Sequence, residues 1–479
     1  MTISDISLND FYLTLPLIIL SVGILISLVI EMYSKSSERI LPWFSVFLFF
    51  GVSYYSLFTI ANDTTAFLSS VKVGGSTHIF YFLFAFAGAI VTLFSKDYIK
   101  KTGIYFGEYY IILQSAVLGM MMIASASDLV MVFIGLEQMS ICFYILAGFQ
   151  RKRSSSNEAS LKYFLLGSFA TGFIVYGMAL IYGATGSLNF AAFEQNFTAL
   201  STNILFLIGT VLFLMGFSFK IAAFPFHMWV PDVYQGSPTT VTAFMSTAGK
   251  VAGFTGLIVA LMPFINSMSM QTLSPYLAGI SALSMIYGSI VAISQKDIKR
   301  MLAYSSISHA GYMLIGLAAG NDTGLSGVIF YLAAYTFMNL GAFGIIALIE
   351  GENEENLTID DYNGLGTKAP ILGALLSVFM FALSGIPPFA GFFGKYYVFY
   401  AAVEANMVWL ALIGVLSSVI SVYFYLRVVV VMYFGNARKN IFIESSGTTM
   451  LGVFISFLLV VLLGIMPDAI IQMVKNFFV

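Results

Sequence analysis

Charged residues are scarce in this 479-residue chain: only 9% of its residues are Asp, Glu, Lys or Arg, whereas 59% are hydrophobic. A soluble globular protein carries about 25% charged residues, so this chain cannot cover a water-exposed surface with charge. Its apolar runs of about 18 residues or more are long enough to cross a bilayer. The composition therefore predicts an integral membrane protein that contacts the lipid bilayer.

Other shortages exclude further classes of function. The net charge of −2 leaves no basic face for phosphates, which excludes nucleic acid as a partner. The single cysteine, Cys142, cannot form an internal disulfide or ligate a metal or iron–sulfur cluster with other cysteines. No loop is long enough to fold as a soluble domain, and no phosphate-cradling glycine-rich loop is present. We therefore expect no ATP-driven pump, no cofactor and no metal on this chain.

Apolar length, together with polar, glycine and proline punctuation, predicts fourteen membrane-spanning helices. Because the runs are continuously apolar, they lack the alternation of β-barrel strands, and the predicted fold class is an all-α polytopic membrane protein. The predicted spans are residues 11–33, 40–60, 78–95, 108–125, 128–149, 158–183, 202–227, 239–262, 275–294, 301–319, 326–349, 370–401, 406–433 and 449–474.

Lysine and arginine are concentrated in the loops on one side of the predicted membrane, in "KDYIKK", "QRKR", "QKDIKR" and "NARK". The acidic loop "EGENEENLTIDD" falls on the same side, but acidic residues carry little weight in topology. The positive-inside rule then predicts cytoplasmic basic loops and both termini on the outer face.

Six ionisable residues nevertheless fall inside predicted spans, where each costs about 2.5–3.5 kcal/mol at mid-helix. They are Glu137, Lys162, Lys220, Lys250, His309 and Lys395. Burial disfavours the charged form of such a group, and a nearby opposite charge favours it. A buried lysine beside a switchable acidic neighbour can therefore load and release a proton, and a chain of such groups predicts a proton path.

Each of these residues also has a structural interpretation. Lys162 lies early in a helix, in "NEASLKYF", and can snorkel its ammonium to the cytoplasmic interface. A structural salt bridge or a helix-carbonyl partner is the alternative for Glu137, Lys220, Lys395 and His309. His78 and His227 lie close to span ends, and we expect them at the membrane interface.

Two of the predicted spans contain helix breakers: Pro225 in the seventh, and Pro387 and Pro388 in the "GIPPFAG" segment of the twelfth. Backbone groups freed by proline are tolerated in a membrane only where they are buried in protein or line a cavity. Interrupted segments in corresponding positions indicate an inverted-repeat transporter. The breaks lie five spans apart, and five spans per unit force the two units into opposite topology.

The predicted organisation therefore has four parts. They are residues 1–107 (helices 1–3), 108–262 (first inverted repeat, helices 4–8), 275–433 (second inverted repeat, helices 9–13) and 449–479 (helix 14).

The segment "FSFKIAAFPFHMWVPDVYQGSPTTVTAFMSTAGK" closely resembles the signature of the antiporter-like membrane subunits of respiratory complex I. Within it, "PDVYQGSP" resembles subunit N rather than subunits L and M. "SGIPPFAGFFGKYYVFY" and "SDLVMVFIGLEQMSICFYIL" fit the same subunit family, and the resemblance covers essentially the whole chain. Thr240 departs from the pattern, because the family usually has a proline there; since threonine is a good N-cap, we expect little effect on Lys250.

The resemblance implies fourteen helices, with helices 7 and 12 discontinuous, and proton translocation driven by electron transfer from NADH to quinone in other subunits. Glu137 and Lys220 would be the charge pair of the first half-channel, Lys250 the central relay and Lys395 the terminal lysine. Lys162 and His309 resemble further members of this hydrophilic axis.

The resemblance also implies partners. FMN and iron–sulfur clusters are expected in partner subunits only. The expected neighbours are K-type and M-type membrane subunits, then L, J, A and H, with the peripheral NADH-oxidising arm and the lipid bilayer.

Two other functions remain open from the sequence. A subunit of a multi-subunit Na⁺/H⁺ antiporter shares this fold and these lysines, but the subunit N form of the motif and the lack of a long extension favour complex I. A structural scaffold for neighbouring subunits is the other, and six buried charges disfavour it.

Overall fold

The computed structural model describes residues 7–58, 64–104, 106–193, 200, 202–264, 270–351, 355–435 and 446–478. These residues are predominantly helical, with one antiparallel hairpin, β1 (Thr64–Ala66) and β2 (Val71–Val73), in which Thr64 lies opposite Val73. The helices are α1 (Leu8–Leu13), α2 (Leu15–Tyr33), α3 (Ser37–Phe58), α4 (Gly75–Lys101), α5 (Glu108–Ala124), α6 (Leu129–Ala147), α7 (Ser154–Thr185), α8 (Ile204–Lys220), α9 (Trp229–Gly236), α10 (Thr239–Leu261), α11 (Met270–Ile293), α12 (Ile298–Ala319), α13 (Asp322–Ile349), α14 (Leu365–Lys368), α15 (Pro370–Ser384), α16 (Ala390–Glu404), α17 (Val408–Phe434), α18 (Gly447–Ile465) and α19 (Pro467–Phe478).

Ten helices in the described part of the chain are long and apolar enough to cross a membrane: α2, α3, α4, α6, α7, α10, α11, α13, α17 and α18. The other four predicted spans coincide with helices outside this set. Of these, α5 has 17 residues, α8 and the α15–α16 pair are interrupted, and α12 carries several serines, tyrosines and a histidine. The predicted helical membrane protein is confirmed, and the count of fourteen spans stays a prediction.

Two predictions about secondary structure need correction. The last predicted span, 449–474, is not one helix: α18 ends at Ile465, and α19 starts anew at Pro467. Proline has no N–H to donate into a preceding turn, so it begins helices far more readily than it continues them. The β-hairpin was not predicted, because strands of three residues are too short to show a hydrophobic period.

The centre of the molecule is formed by helices that expose almost nothing. Every residue of α10 is buried, and α13 is buried over nearly its whole length. By contrast α2, α7 and α17 present large apolar side chains outwards, which suits contact with lipid or other membrane subunits. Lys250, one of the predicted site residues, is held on the fully buried α10.

Glycine pairs let neighbouring helices approach closely. A Cβ atom added to Gly119 of α5 would lie 2.7 Å from the carbonyl oxygen of Gly135 of α6, and one added to Gly135 would lie 2.6 Å from that of Gly119. Gly177 of α7 and Gly209 of α8 face each other in the same way. Small residues at such contacts are typical of helix packing in membranes, where backbones meet directly.

Two helix starts share one unusual backbone arrangement. Asp128 caps α6, and Asp297 caps α12, each accepting a hydrogen bond from the N–H three residues later. Asp128 also forms an isolated antiparallel bridge with Asn189, and Asp297 forms one with Thr358. Both bridges tie the start of a helix to the chain that follows the next helix.

Candidate functional site

The first group of the site joins α6 to the end of α8. Lys220 is the last residue of α8 and is buried; its Nζ donates a 2.8 Å hydrogen bond to Ser140 Oγ and lies 3.9 Å from Glu137 Oε1. Glu137 Oε1 also accepts a 2.8 Å hydrogen bond from Thr171 Oγ1 of α7. Glu137 and Ser140 are three residues apart, so they face the same side of α6. The structure therefore brings the predicted Glu137–Lys220 pair together.

The helix break beside Lys220 begins earlier than its proline. The α8 helix ends at Lys220, residues 221–228 are non-helical, and the Phe224–Pro225 bond is cis. Two hydrogen bonds from or to side chains satisfy backbone groups that the break leaves without helical partners. Trp229 Nε1 donates to the Phe219 carbonyl at 3.0 Å, and the Phe224 N–H donates to Ser284 Oγ at 2.9 Å. The broken backbone is thus buried against protein partners, as a membrane interior requires.

Lys250 lies in the buried α10 immediately after a π-helical turn, Met245–Gly249. Its Nζ donates a 2.5 Å hydrogen bond to the Ser306 carbonyl of α12 and lies 5.5 Å from the centre of the Tyr335 ring. Single π-helical turns inside α-helices occur frequently at functional sites. The hydrogen bond from Lys250 to Ser306 therefore links α10, the last helix of the predicted first repeat, to α12, the second helix of the predicted second repeat.

Lys395 lies in α16, after the second break, and reaches back across that break. Its Nζ donates to the Ser384 carbonyl at 2.7 Å and to Ser418 Oγ at 2.8 Å. Because Ser384 ends α15, the ammonium lies at the negative end of that helix dipole, which favours a cation. Gly385, at φ +87°, continues the chain here, and a Cβ on it would lie 3.1 Å from Lys395 Nζ, so both backbone and space favour glycine.

A cavity of about 540 Å³ between α16 and α17 leads to this lysine. Lys395, Ser418 and Gly385 contribute to its lining, and most of the remaining lining is apolar and aromatic. The Pro387–Pro388 bond, which is cis, lies in the same break, so both predicted breaks carry prolines beside a buried lysine.

His309 of α12 lies between Lys250 and Lys395 and is hydrogen-bonded on both ring nitrogens. Nδ1 lies 2.9 Å from Tyr331 Oη, and Nε2 lies 3.0 Å from Tyr425 Oη. Its ring centre is 5.0 Å from that of Tyr335 and 5.7 Å from that of Tyr312. Tyr312 in turn lies under Lys395, whose Nζ is 4.9 Å from the ring centre.

Lys162 differs from the other lysines. Its side chain is 41% exposed, and its Nζ forms 2.7 Å ion pairs with both Glu158 and Asp232. The prediction that it lies buried in a span is therefore wrong, and its snorkelling alternative fits better, because Lys162 is near the start of α7. Asp232 also binds Arg300 at 2.7 Å, so one carboxylate joins α7, α9 and α12.

The other two histidines are not exposed at an interface. His78 and His227 are 4% and 5% exposed. His227 stacks on Phe224 and packs at a tilt against Tyr287, and His78 stacks on Tyr81. Their positions near helix ends agree with the sequence, but neighbouring helices cover both rings.

Sequence reasoning missed several side chains that hold the site. Asp232 and Arg300 were assigned to loops, although an acid beside the broken helix, in "WVPDVYQG", was a usable signal. Ser140 lies one helical turn after Glu137 and could have been found from that spacing. Tyr331 and Tyr425 gave no signal, because buried tyrosines are common in a chain with 27 of them.

The site residues thus comprise the Glu137–Lys220 pair, whose carboxylate is half-buried, and three buried groups, Lys250, His309 and Lys395, which the rings of Tyr335 and Tyr312 connect. Among the described residues, Lys250 and Lys395 bind hydroxyl and carbonyl oxygens and no carboxylate. Nor do the described ranges contain a group of three or more His, Cys, Asp or Glu residues that could hold a metal ion. The arrangement of buried lysines and hydroxyl groups suits proton carriage by side chains.

Two broken helices with buried lysines define a class of proton- and cation-moving membrane subunits, and comparison with known proteins agrees. A family model described as NADH:quinone oxidoreductase/Mrp antiporter, TM, matches residues 126–421. NADH-quinone oxidoreductase subunit N 1 of Chloroherpeton thalassium is 43% identical over 98% of both chains.

Two solved structures have the same fold. A chain of respiratory complex I from Thermus thermophilus superposes with a TM-score of 0.83 at 31% identity, covering 95% of this chain and 98% of that one. A chain of the Mrp complex from Dietzia sp. gives a TM-score of 0.84 at 18% identity, covering 99% and 97%, which shows a shared fold alone. The chain belongs to the NADH-quinone oxidoreductase subunit N family, as the sequence motifs predicted.

Proposed function

We propose that this chain translocates protons across the membrane as a subunit of a proton-pumping NADH:quinone oxidoreductase, with electron transfer taking place in other subunits. The observation that carries the proposal is the line of buried amines, in which Lys220, Lys250 and Lys395 each have hydroxyl or carbonyl oxygens as hydrogen-bond acceptors. Such oxygens bind an ammonium without neutralising it. A proton can therefore leave Lys250 or Lys395 without breaking a strong ion pair, whereas Lys220 also has the carboxylate of Glu137 as a neighbour.

The Glu137–Lys220 pair is the switch in this mechanism. At 3.9 Å the carboxylate stabilises the ammonium by about 4 kcal/mol at an effective dielectric constant of 20. When the pair opens, that stabilisation is lost and the Lys220 proton moves to Lys250, and from there past His309 to Lys395. Lys220 ends a helix and is followed by non-helical chain, so small backbone movements can change the separation.

Residue spacing supports the two inverted repeats, 108–262 and 275–433. Asp297 follows Asp128 by 169 residues, and Thr358 follows Asn189 by the same 169, so the two bridged helix starts are in register. The flanking hydrogen bonds follow the same register: Leu129 N–H to the Leu188 carbonyl at 3.0 Å and Ile298 N–H to the Leu357 carbonyl at 2.9 Å. Five helices in each unit give the units opposite orientations in the membrane. Residues 1–107 and 449–479 then flank them as helices 1–3 and helix 14.

The family resemblance is what supports the assembly that we propose. FMN and iron–sulfur clusters belong to partner subunits that oxidise NADH. The apolar outer faces of α2, α7 and α17 suit lipid and neighbouring membrane subunits, K-type and M-type first and L, J, A and H beyond them. The membrane is the bacterial inner membrane, with the basic loops in the cytoplasm and both termini outside.

Replacement of Lys220 tests the proposal directly. The purified complex is reconstituted in vesicles, and proton uptake is measured per NADH oxidised for wild type, Lys220→Ala and Lys475→Ala. Lys475 is an exposed lysine of α19 and serves as the matched control. We expect Lys220→Ala to lose most proton uptake with the complex still assembled, and Lys475→Ala to retain it. Full uptake in Lys220→Ala would refute the proposal.

A second candidate function is that of a subunit of a Na⁺/H⁺ antiporter. The fold that this chain shares with a chain of the Mrp complex is the reason to test it. That function predicts Na⁺-dependent proton exchange in vesicles without NADH. Replacing Na⁺ by choline should abolish such exchange and should leave NADH-driven proton uptake unchanged if the first proposal holds.

A further inference from the structure

His309 is held by two tyrosine hydroxyls, one on each ring nitrogen, at 2.9 Å for Tyr331 and 3.0 Å for Tyr425. All three side chains are buried, with 1% or less of their surface exposed. A neutral imidazole has one donor and one acceptor nitrogen, while a hydroxyl can donate or accept. Both contacts can therefore be made in either tautomer, and the three groups form a continuous hydrogen-bonded line.

The two tyrosines lead from His309 towards different lysines. Tyr425 Oη also hydrogen-bonds to Ser305 Oγ, and the next residue, Ser306, supplies the carbonyl that binds Lys250 Nζ. The Tyr425 end of the line thus faces the Lys250 side.

The Tyr331 end faces Lys395. The Tyr331 ring packs against Gly394, the residue before Lys395: a Cβ added to Gly394 would lie 2.7 Å from Tyr331 Cδ2. Because Gly394 has no side chain, the Tyr331 ring can pack next to the helix turn that carries Lys395. The line Tyr425–His309–Tyr331 therefore runs between the two lysines.

The two ends of the line contain buried hydroxyls that can hold water. In the described part of the chain, the Tyr335 and Tyr312 hydroxyls and the Ser306 hydroxyl are buried and make no direct hydrogen bond. Buried polar groups of this kind are usually satisfied by ordered water. Tyr335 lies by Lys250 and Tyr312 by Lys395, so each end of the line has a buried hydroxyl group beside a lysine.

We propose that Tyr425 and Tyr331 carry protons through His309, from the Lys250 side to the Lys395 side, a step that rests on the proton-translocating function proposed above. A proton arriving at Tyr425 Oη displaces the hydroxyl proton onto His309 Nε2. The proton on Nδ1 moves to Tyr331 Oη, whose own proton leaves towards Lys395. Each O–H or N–H bond that breaks is matched by one that forms, and all three groups end neutral. Rotation of the hydroxyls and return of His309 to its first tautomer complete the cycle.

Removing each hydroxyl while keeping its ring tests the relay. Tyr425→Phe and Tyr331→Phe are introduced into the assembled complex in vesicles, and proton uptake per NADH oxidised is measured. The matched control is Tyr109→Phe, because Tyr109 is also buried and also bridges two side chains, Ser95 at 2.9 Å and Thr240 at 3.2 Å. We expect each relay variant to lose about tenfold or more of its proton uptake, because positioned proton carriers contribute on the order of a hundredfold or more to such steps. Tyr109→Phe should stay within about twofold of wild type on the same scale. Losses in Tyr425→Phe and Tyr331→Phe no larger than that of Tyr109→Phe would overturn the relay.

A double variant distinguishes a relay from general loosening of the helices. If Tyr425 and His309 act in one line, His309→Ala with Tyr425→Phe should be no worse than His309→Ala alone. Losses that multiply would mean independent structural effects and would overturn the relay. Lys395→Ala keeps this test apart from the proposed function. If Lys395→Ala loses proton uptake but the tyrosine variants keep it, the relay is refuted and the proposed function stands. If Lys395→Ala keeps full proton uptake, the proposed function itself is refuted.

Discussion

Glu137 and Glu158 each contact a lysine, and the longer of these two contacts should matter more. Glu137 lies 3.9 Å from the buried Lys220, whereas Glu158 lies 2.7 Å from Lys162 on an exposed helix surface. An ion pair between exposed side chains is worth about 0–1 kcal/mol, because water and salt screen it. The Glu137–Lys220 pair is worth about 2–4 kcal/mol, since the lysine side chain is 2% exposed and the effective dielectric is lower.

Glu137→Gln keeps the size of the side chain and the hydrogen bond from Thr171 while removing the charge. A loss of about 2–4 kcal/mol of stabilisation lowers the ratio of protonated to unprotonated Lys220 by roughly thirtyfold to a thousandfold. We therefore expect proton uptake per NADH, measured with a pH-sensitive dye in vesicles, to fall about tenfold or more. Glu158→Gln should stay near wild type, because its pair with Lys162 is exposed and Asp232 also binds that lysine.

The comparison of these two variants can fail in two ways. If Glu158→Gln reduced uptake as much as Glu137→Gln, contact distance rather than burial would control the effect. If Glu137→Gln kept full uptake in an assembled complex, the opening and closing of this pair would not be the switch.

Three further changes have expected outcomes. Gly135→Val should destabilise the membrane domain by about 1–3 kcal/mol or more, measured as a lower temperature of complex dissociation, because its Cβ would meet backbone of α5 at 2.6 Å. Asp232→Asn removes the charge shared by Lys162 and Arg300 and should speed amide hydrogen exchange in α9 by about tenfold. Gly394→Ala should displace the Tyr331 ring and lower proton uptake, with wild-type assembly.

Controls exist within the chain. Gly172→Val places a similar side chain on α7 where a Cβ has nothing within 4 Å, so unchanged stability is expected there, and equal loss in both glycine variants would contradict the contact argument. Glu158→Gln is also the control for Asp232→Asn. Equal rates of amide hydrogen exchange in α9 for these two variants would show that Asp232 does not stabilise α9. If proton uptake in Gly394→Ala equals that of the wild type, the Tyr331 ring tolerates the added methyl group.

The sequence predicted the elements of the fold that depend on hydrophobicity. Long apolar runs and prolines located the spans and both breaks, and the subunit N family and its class of function are confirmed by relatives across the whole chain. The rarity of charges in apolar spans predicted only that Glu137 and Lys220 each need a partner, and the family resemblance supplied their pairing with each other. The roles of the six ionisable residues stay predictions.

What the sequence left out depends on packing. Lys162 looks like Lys250 in a hydropathy pattern, but the depth of a helix start and its neighbour Asp232 decide its exposure. The π-helical turn before Lys250 has no sequence signature, because it results from the fit of α10 into its surroundings. The tyrosines around His309 are ordinary aromatic residues until the helices that carry them are packed together.

The common register of the two bridged aspartates lets the halves of the chain be compared position by position. Between Asp128 and Asn189 in one half, and Asp297 and Thr358 in the other, the spacing of 169 is the same at both ends. Glu137 then corresponds to Ser306, Ser140 to His309 and Lys162 to Tyr331. At the matched positions one half carries a carboxylate and a hydroxyl where the other carries a hydroxyl and an imidazole. A residue exchanged between matched positions would therefore bring its chemistry to surroundings that hold different partners.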